Sequence, residues 1–297
     1  DNSPNGTSSG PISSLLLDPA LGANTIFAAS TNGGIFRTTN AGQNWAALTD
    51  TQSSLSIASL SLDVTDPTGR TLIAGTGLVD NGIYDSFNRN SRQGSGAIRT
   101  GILYSTDGGN NWTNLGSTTL AGESIVGAYA RGGNILAATF EPNAIATTAT
   151  TDNKAYGLFR STDGGQTFSL LSGSGSLPNG AVSSLIADPI NQNVFYAAVT
   201  IASAGGYKNA AVYKSIDDGQ SWAPIFTKDT LASGQANVIA NATSQVVLKL
   251  SAGPNGSIAI ATEQDGVLNG LYLQPNSGAS WSKLAVPNVN PGNQANT

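Results

Sequence analysis

Five copies of one short phrase divide this 297-residue chain. In each, a short apolar run leads into a Ser or Thr, then a glycine-containing Asp/Asn turn, then an aromatic residue. The copies are Gly34–Trp45, Ser105–Trp112, Ser161–Phe168, Ser215–Trp222 and a worn fifth, Gln274–Trp281. A repeat of this kind restricts the fold to units that cannot bury their own faces and must stack on their neighbours. The turn residues Asn40, Asp107, Asp163, Asp217 and Asn276 are 67, 56, 54 and 59 positions apart. That spacing holds one unit per copy and is too short to hide another unit of about 40 residues.

Each unit reads as four short strands rich in Val, Ile, Leu and aromatics. They are bounded by Asp-Pro, Pro-Asn-Gly and Asp-Gly turn signals, and no segment keeps a helical period over three turns. The third strands align as Ile35, Ile102, Leu158, Val212 and Leu271, then Phe36, Leu103, Phe159, Tyr213 and Tyr272. Neighbouring strand positions face opposite sides of a sheet. Both columns are apolar, so both faces of each sheet are expected to be covered. The expected fold is all-β, a β-propeller of four-stranded blades at about 11–50, 55–116, 123–173, 181–227 and 245–286. Polar, turn-rich tails flank it at 1–10 and 287–297, where a further domain would attach.

Composition removes several function classes. The chain has no Cys and no His, which excludes disulfides, thiolate metal sites and a Ser-His-Asp triad. With 13 basic against 18 acidic residues there is no basic stripe for nucleic acid. No apolar run reaches the roughly 20 residues of a membrane-spanning helix. The chain has no Met, so it reads as a processed chain or part of a longer one, secreted or at the cell surface (extracellular or periplasmic).

The phrase Ser/Thr-x-Asp-x-Gly-x-x-Trp/Phe resembles the Asp-box, or bacterial neuraminidase, repeat over nearly the whole chain. That resemblance implies propeller architecture. Its functions are diverse: similar repeats occur in sialidases, xyloglucan-cleaving glycosidases, sortilin-like receptors and a photosystem II assembly factor. A sialidase would need arginines converging from different blades. Here Arg89, Arg92 and Arg99 share one insertion, while Arg37 and Arg160 repeat at one strand position with Lys214.

Strands that alternate in direction put the repeated turns and the Asp18, Asp66 and Asp188 Asp-Pro turns on one face. The long insertions Leu78–Thr100, Glu141–Tyr156, Ile201–Ala210 and Lys228–Gln245 fall on the other, where recognition is expected. In the repeated turns, Asn40, Asp107, Asp163, Asp217 and Asn276 are read as structural caps. Trp45, Trp112, Phe168, Trp222 and Trp281 are read as anchors between sheets. The remaining carboxylates on the insertion face, Glu123, Glu141, Glu263 and Asp265, could supply the pair that glycoside hydrolysis requires. Tyr84, Phe87, Arg89, Arg92, Tyr156 and Tyr207 are candidates for a sugar- or partner-binding rim. Asp80 and Asp85 could order their loop around calcium; a solvated loop with tucked aromatics is the plainer reading of the same stretch. The favoured expectation is a non-catalytic module binding a glycan or a protein. A glycoside hydrolase and a scaffold subunit of a larger assembly are the alternatives.

Overall fold

The computed structural model describes residues 11–77, 99–140, 156–201, 209–230, 246–264 and 267–286. They form five four-stranded antiparallel sheets, each taking its strands in chain order. Blade 1 is β1 (Ile12–Leu17), β2 (Ile26–Ser30), β3 (Gly34–Thr38) and β4 (Ala46–Ala47). Blade 2 is β5 (Ile57–Leu62), β6 (Leu72–Thr76), β7 (Ile102–Ser105) and β8 (Thr113–Leu115). Blade 3 is β9 (Ile125–Arg131), β10 (Asn134–Thr139), β11 (Leu158–Ser161) and β12 (Ser169–Leu170). Blade 4 is β13 (Gly180–Ala187), β14 (Phe195–Ile201), β15 (Asn209–Ser215) and β16 (Ala223–Phe226). Blade 5 is β17 (Val246–Ala252), β18 (Ile258–Gln264), β19 (Val267–Gln274) and β20 (Ser282–Leu284). A 3-10 turn at Pro254–Gly256 joins β17 to β18.

The first strands line the centre, β1 beside β5, β5 beside β9, β9 beside β13 and β13 beside β17. Every blade therefore has a leading face towards its predecessor and a trailing face towards its successor. Blade 2 shows how the period-2 pattern fills both. Leu60 pairs with Ala74 and Leu103 on the leading face, whereas Ser61 pairs with Ile73 and Tyr104 on the trailing face. Apolar clusters built this way join blades 1 and 2 (around Phe27, Ile35, Leu60 and Leu103) and blades 2 and 3 (Ile73, Ile102, Ala137 and Phe159). They likewise join blades 3 and 4 (Leu136, Leu158, Leu185 and Phe195) and blades 4 and 5 (Tyr196, Val212, Ile260 and Tyr272).

Five blades closed in a ring would have a fifth junction. Among the described residues no such cluster joins blade 5 to blade 1. Leu60 and Leu185 are 7% and 3% exposed on the leading faces of blades 2 and 4, but the register-equivalent Leu15 of blade 1 is 69% exposed. One third-strand column breaks at the same place. Leu271 is half-buried, whereas Ile35, Ile102, Leu158 and Val212 of the same column are fully buried. The expectation that both faces of every sheet are covered holds for blades 2, 3 and 4; the leading face of blade 1 is bare. Blade 5 shows part of the reason. Ala259 projects from its trailing face at the position held by Phe27, Ile73, Leu136 and Tyr196 in the other blades, so that face has less to fill a junction with.

Candidate functional site

Four of the five repeated turns are built from the same hydrogen bonds. The Thr38, Ser105, Ser161 and Ser215 hydroxyls donate to Oδ1 of Asn40, Asp107, Asp163 and Asp217 at 2.8, 2.9, 2.7 and 2.7 Å. The same hydroxyls accept the backbone N–H of Gly42, Gly109, Gly165 and Gly219, all at positive φ. Each Oδ1 also accepts the N–H four residues on, from Asn44, Asn111, Thr167 and Ser221 at 2.9–3.0 Å. These bonds to the ionised form hold Asp163 near a pKa of about 2 and also lower those of Asp107 and Asp217, though burial opposes the shift. The worn fifth turn closes differently, with Gln274 Nε2 donating to the Ala279 carbonyl. The turn carboxylates are thus committed to holding turns.

The aromatic that ends each turn reaches onto the preceding blade. Trp112, Phe168, Trp222 and Trp281 belong to the clusters joining blade 1 to 2, 2 to 3, 3 to 4 and 4 to 5. Trp281 Nε1 donates to the Ile225 carbonyl of blade 4. Trp45, the corresponding residue of blade 1, is 44% exposed. Four of the five aromatics thus pack between neighbouring sheets.

In the centre, the first strands line an open cavity of about 270 Å³ with residues from all five blades, including Ser14, Ser59, Ser61, Tyr129, Ser184 and Lys249. Serine hydroxyls stitch neighbouring first strands together. Ser13 donates to the Ile57 carbonyl at 2.7 Å, Ser59 to Ile125 at 3.0 Å, Ser61 to Ala128 at 2.6 Å and Ser183 to Leu248 at 3.0 Å. In blades 1–4 the ladder to the second strand skips one residue, at Ser13, Ala58, Val126 and Ser183. Such a bulge re-aims side chains. Blade 5 has no bulge there. Where the other first strands carry Ser14, Ser59, Gly127 and Ser184, it places Lys249, whose Nζ donates to the Ser183 carbonyl at 3.1 Å. Desolvation lowers the Lys249 pKa, and the charge of Glu263 opposes this.

At the turn-face end of the same strands, Arg131 stands in the column of Asp18, Asp63 and Asp188. Its Nε donates to the Gln192 carbonyl at 2.9 Å, and its guanidinium lies 4.9 Å from the Phe195 ring centroid. Asp63 Oδ2 accepts the Gly132 N–H at 2.7 Å. Burial lowers the Arg131 pKa while Asp63 and Asp218 raise it. Sequence reasoning did not single out Arg131 or Lys249. The signal was present, since each is the one cation in a column of its repeat.

At the insertion-face end, Phe140, Ala181 and Val247 are buried together, with Val126 and Tyr156 packed against them. Tyr156 is thus half-buried in an apolar cluster drawn from blades 3, 4 and 5. Glu123 is 2% exposed just ahead of β9, and Glu263 is half-buried on β18, two blades away. Arg99 donates from Nη1 to the Gly122 carbonyl at 3.3 Å. Asp80, Tyr84, Asp85, Phe87, Arg89, Arg92, Glu141, Tyr207 and Asp265 lie outside the described residues. Among the described residues, no group of three or more Asp or Glu side chains is placed to hold a metal. Nor is any helix there long and apolar enough to cross a membrane.

No family model matches the chain, and no curated protein matches it. Solved structures do. A GH74 enzyme of Niastella koreensis aligns with a TM-score of 0.59 at 17% identity, over 95% of this chain and 38% of its own. YCF48 bound to D1 peptide aligns at 0.51 and 15% identity, over 94% of this chain and 70% of its own. The extracellular domain of the hybrid two-component system BT3049 from B. thetaiotaomicron aligns at 0.53 and 14%, over 96% and 30%. The fold is a β-propeller. The chain spans less than two-fifths of the GH74 enzyme's length. At such identities the likeness extends to the fold alone, and the three proteins differ in function.

Proposed function

We propose that this propeller is a non-catalytic binding module of the Asp-box kind, secreted or displayed at a cell surface, and that it takes a glycan or a protein on its insertion face. The observation that carries this reading is the division of labour between the two faces. On the turn face, Asp107, Asp163 and Asp217 are consumed in holding turns. The segments 78–98, 141–155, 202–208 and 231–245 instead join strands at the opposite edge of the blades. Loops held by a rigid scaffold are where recognition is commonly built. Tyr84, Phe87, Arg89, Arg92, Tyr156 and Tyr207 are proposed as the binding rim, and Asp80 and Asp85 as a calcium-ordered part of it.

A glycan and polysaccharide array, run with and without calcium and with released sugar assayed in parallel, tests the reading. Retention without release is expected. Released reducing sugar would overturn it and move the role to a carboxylate pair drawn from Glu123, Glu141, Glu263 and Asp265. The scaffold reading has its own supporting observation, the bare apolar face of blade 1.

A further inference from the structure

The leading face of blade 1 repeats a buried face of the same protein. Ile12, Leu15 and Leu17 of β1 stand in the register of Ile57, Leu60 and Leu62 of β5. Ala28 corresponds to Ala74, Phe36 to Leu103 and Trp45 to Trp112. In blade 2 this set is closed over by blade 1: Ile57, Ala74 and Leu103 are fully buried in the cluster that also holds Phe27, Ala29 and Ile35. In blade 1 the first-strand members of the set meet solvent, with Ile12 50%, Leu15 69% and Leu17 66% exposed and Trp45 uncovered beside them, while Phe36 is half-buried and Ala28 is buried. A contiguous apolar edge that includes a tryptophan has the composition of an interface core.

The four occupied junctions define what covers such a face. Each covering surface is the trailing face of a blade. Its second strand carries a large apolar side chain (Phe27, Ile73, Leu136 or Tyr196), and its third strand carries Arg37, Tyr104, Arg160 or Lys214. Two of those cations bridge to the next blade's turn, Arg37 Nη1 to the Gly108 carbonyl at 2.9 Å and Lys214 Nζ to Ser277 Oγ at 3.1 Å. Blade 5 does not match, because Ala259 and Leu273 occupy these two positions. We propose that the leading face of blade 1 is a docking surface for a four-stranded blade of the internal type, one that presents a large apolar residue on its second strand and, as in three of the four covering blades, a cation on its third. Blade 1's own trailing face, which already covers the near-identical set on blade 2, has the required chemistry.

That complement supplies the probe. In an extended chain, residues 11–54 are duplicated in tandem ahead of residue 11, and Leu15→Cys in the original blade is the sole thiol. The thiol should react at least 100-fold more slowly than in the unextended Leu15→Cys chain, approaching the protection of Leu60→Cys. A second extended chain, with Phe27→Asp in the added blade alone, should restore fast labelling, while circular dichroism reports the strand content of both. Fast labelling in the first extended chain, with the added strand signal present, would overturn the proposal. If the added strand signal is missing, the same reading is taken from a chain extended with residues 11–54 carrying blade 2's leading-face residues, and fast labelling there overturns it too. Protection of Leu15→Cys in the unextended chain that sets in with rising protein concentration would also overturn it, by making a second copy the occupant.

Discussion

At the scale of single residues, the repeated turn depends on its hydroxyl more than on its charge. Ser215 is buried, donates to Asp217 and accepts the Gly219 N–H at 2.9 Å. Ser215→Ala leaves that N–H buried without a partner and should destabilise the chain by about 1–3 kcal/mol in urea unfolding. Ser215→Thr should be close to neutral, because Thr38 makes the same bonds in blade 1. Asn40 makes the corresponding Oδ1 bonds without a charge, so Asp107→Asn should keep those and lose the bond that Oδ2 accepts from Asn111 Nδ2, at a cost of about 1 kcal/mol. The charges matter through pH. Asp66 and Asp163 are held at about 2, and Asp107, Asp188 and Asp217 are also lowered. A carboxylate with a depressed folded pKa adds stability that is present above its unfolded value near 4 and lost as pH falls through the folded value. Asp18, raised by burial, acts in the opposite sense but is one group against five. Midpoints measured from pH 5 to pH 2 should fall steadily below pH 4; a flat profile would contradict the hydrogen-bonded turns.

At the scale of elements, the first strands of blades 3 and 4 come so close at Gly127 that a larger side chain there does not fit. A Cβ on Gly127 would lie 2.8 Å from Cβ of Leu185 in the adjacent first strand. Gly127→Val should therefore destabilise by about 1–3 kcal/mol through overpacking, whereas Ser59→Ala removes only the hydroxyl bond to Ile125 and should cost about 1 kcal/mol. Strand count, strand order and the two-faced apolar pattern were all legible from the columns Ile35–Leu271 and Phe36–Tyr272, because alternation and turn chemistry are local. The fourth strands are shorter than their runs of apolar and β-branched residues suggest: β4 covers only Ala46–Ala47 of the run 45–49. Edge strands take their length from pairing rather than propensity, which explains the overestimate. The loss of the bulge in β17 was not legible either, since a bulge depends on how two strands pair and on no single residue. Lys249 reaches the cavity through that unbulged strand.

At the scale of the whole molecule, a repeat specifies how one blade meets the next but not which junctions form. The third-strand columns are apolar in all five units, and the exposure of Leu15, Leu17 and Trp45 marks the junction that is left bare among the described residues. The candidate binding rim was legible only as a set of long segments between strands. The cations that the structure brings to the centre and to the turn face, Lys249 and Arg131, emerge once the units are aligned by register. The most direct measurement is the native-state labelling rate of single cysteines in this naturally cysteine-free chain, with Leu15→Cys compared to Leu60→Cys in dilute solution. An open arc predicts that Leu15→Cys reacts at nearly the rate of the unfolded chain while Leu60→Cys is protected at least 100-fold. Equal protection at the two positions would mean that the ring closes on blade 1, and would contradict the account.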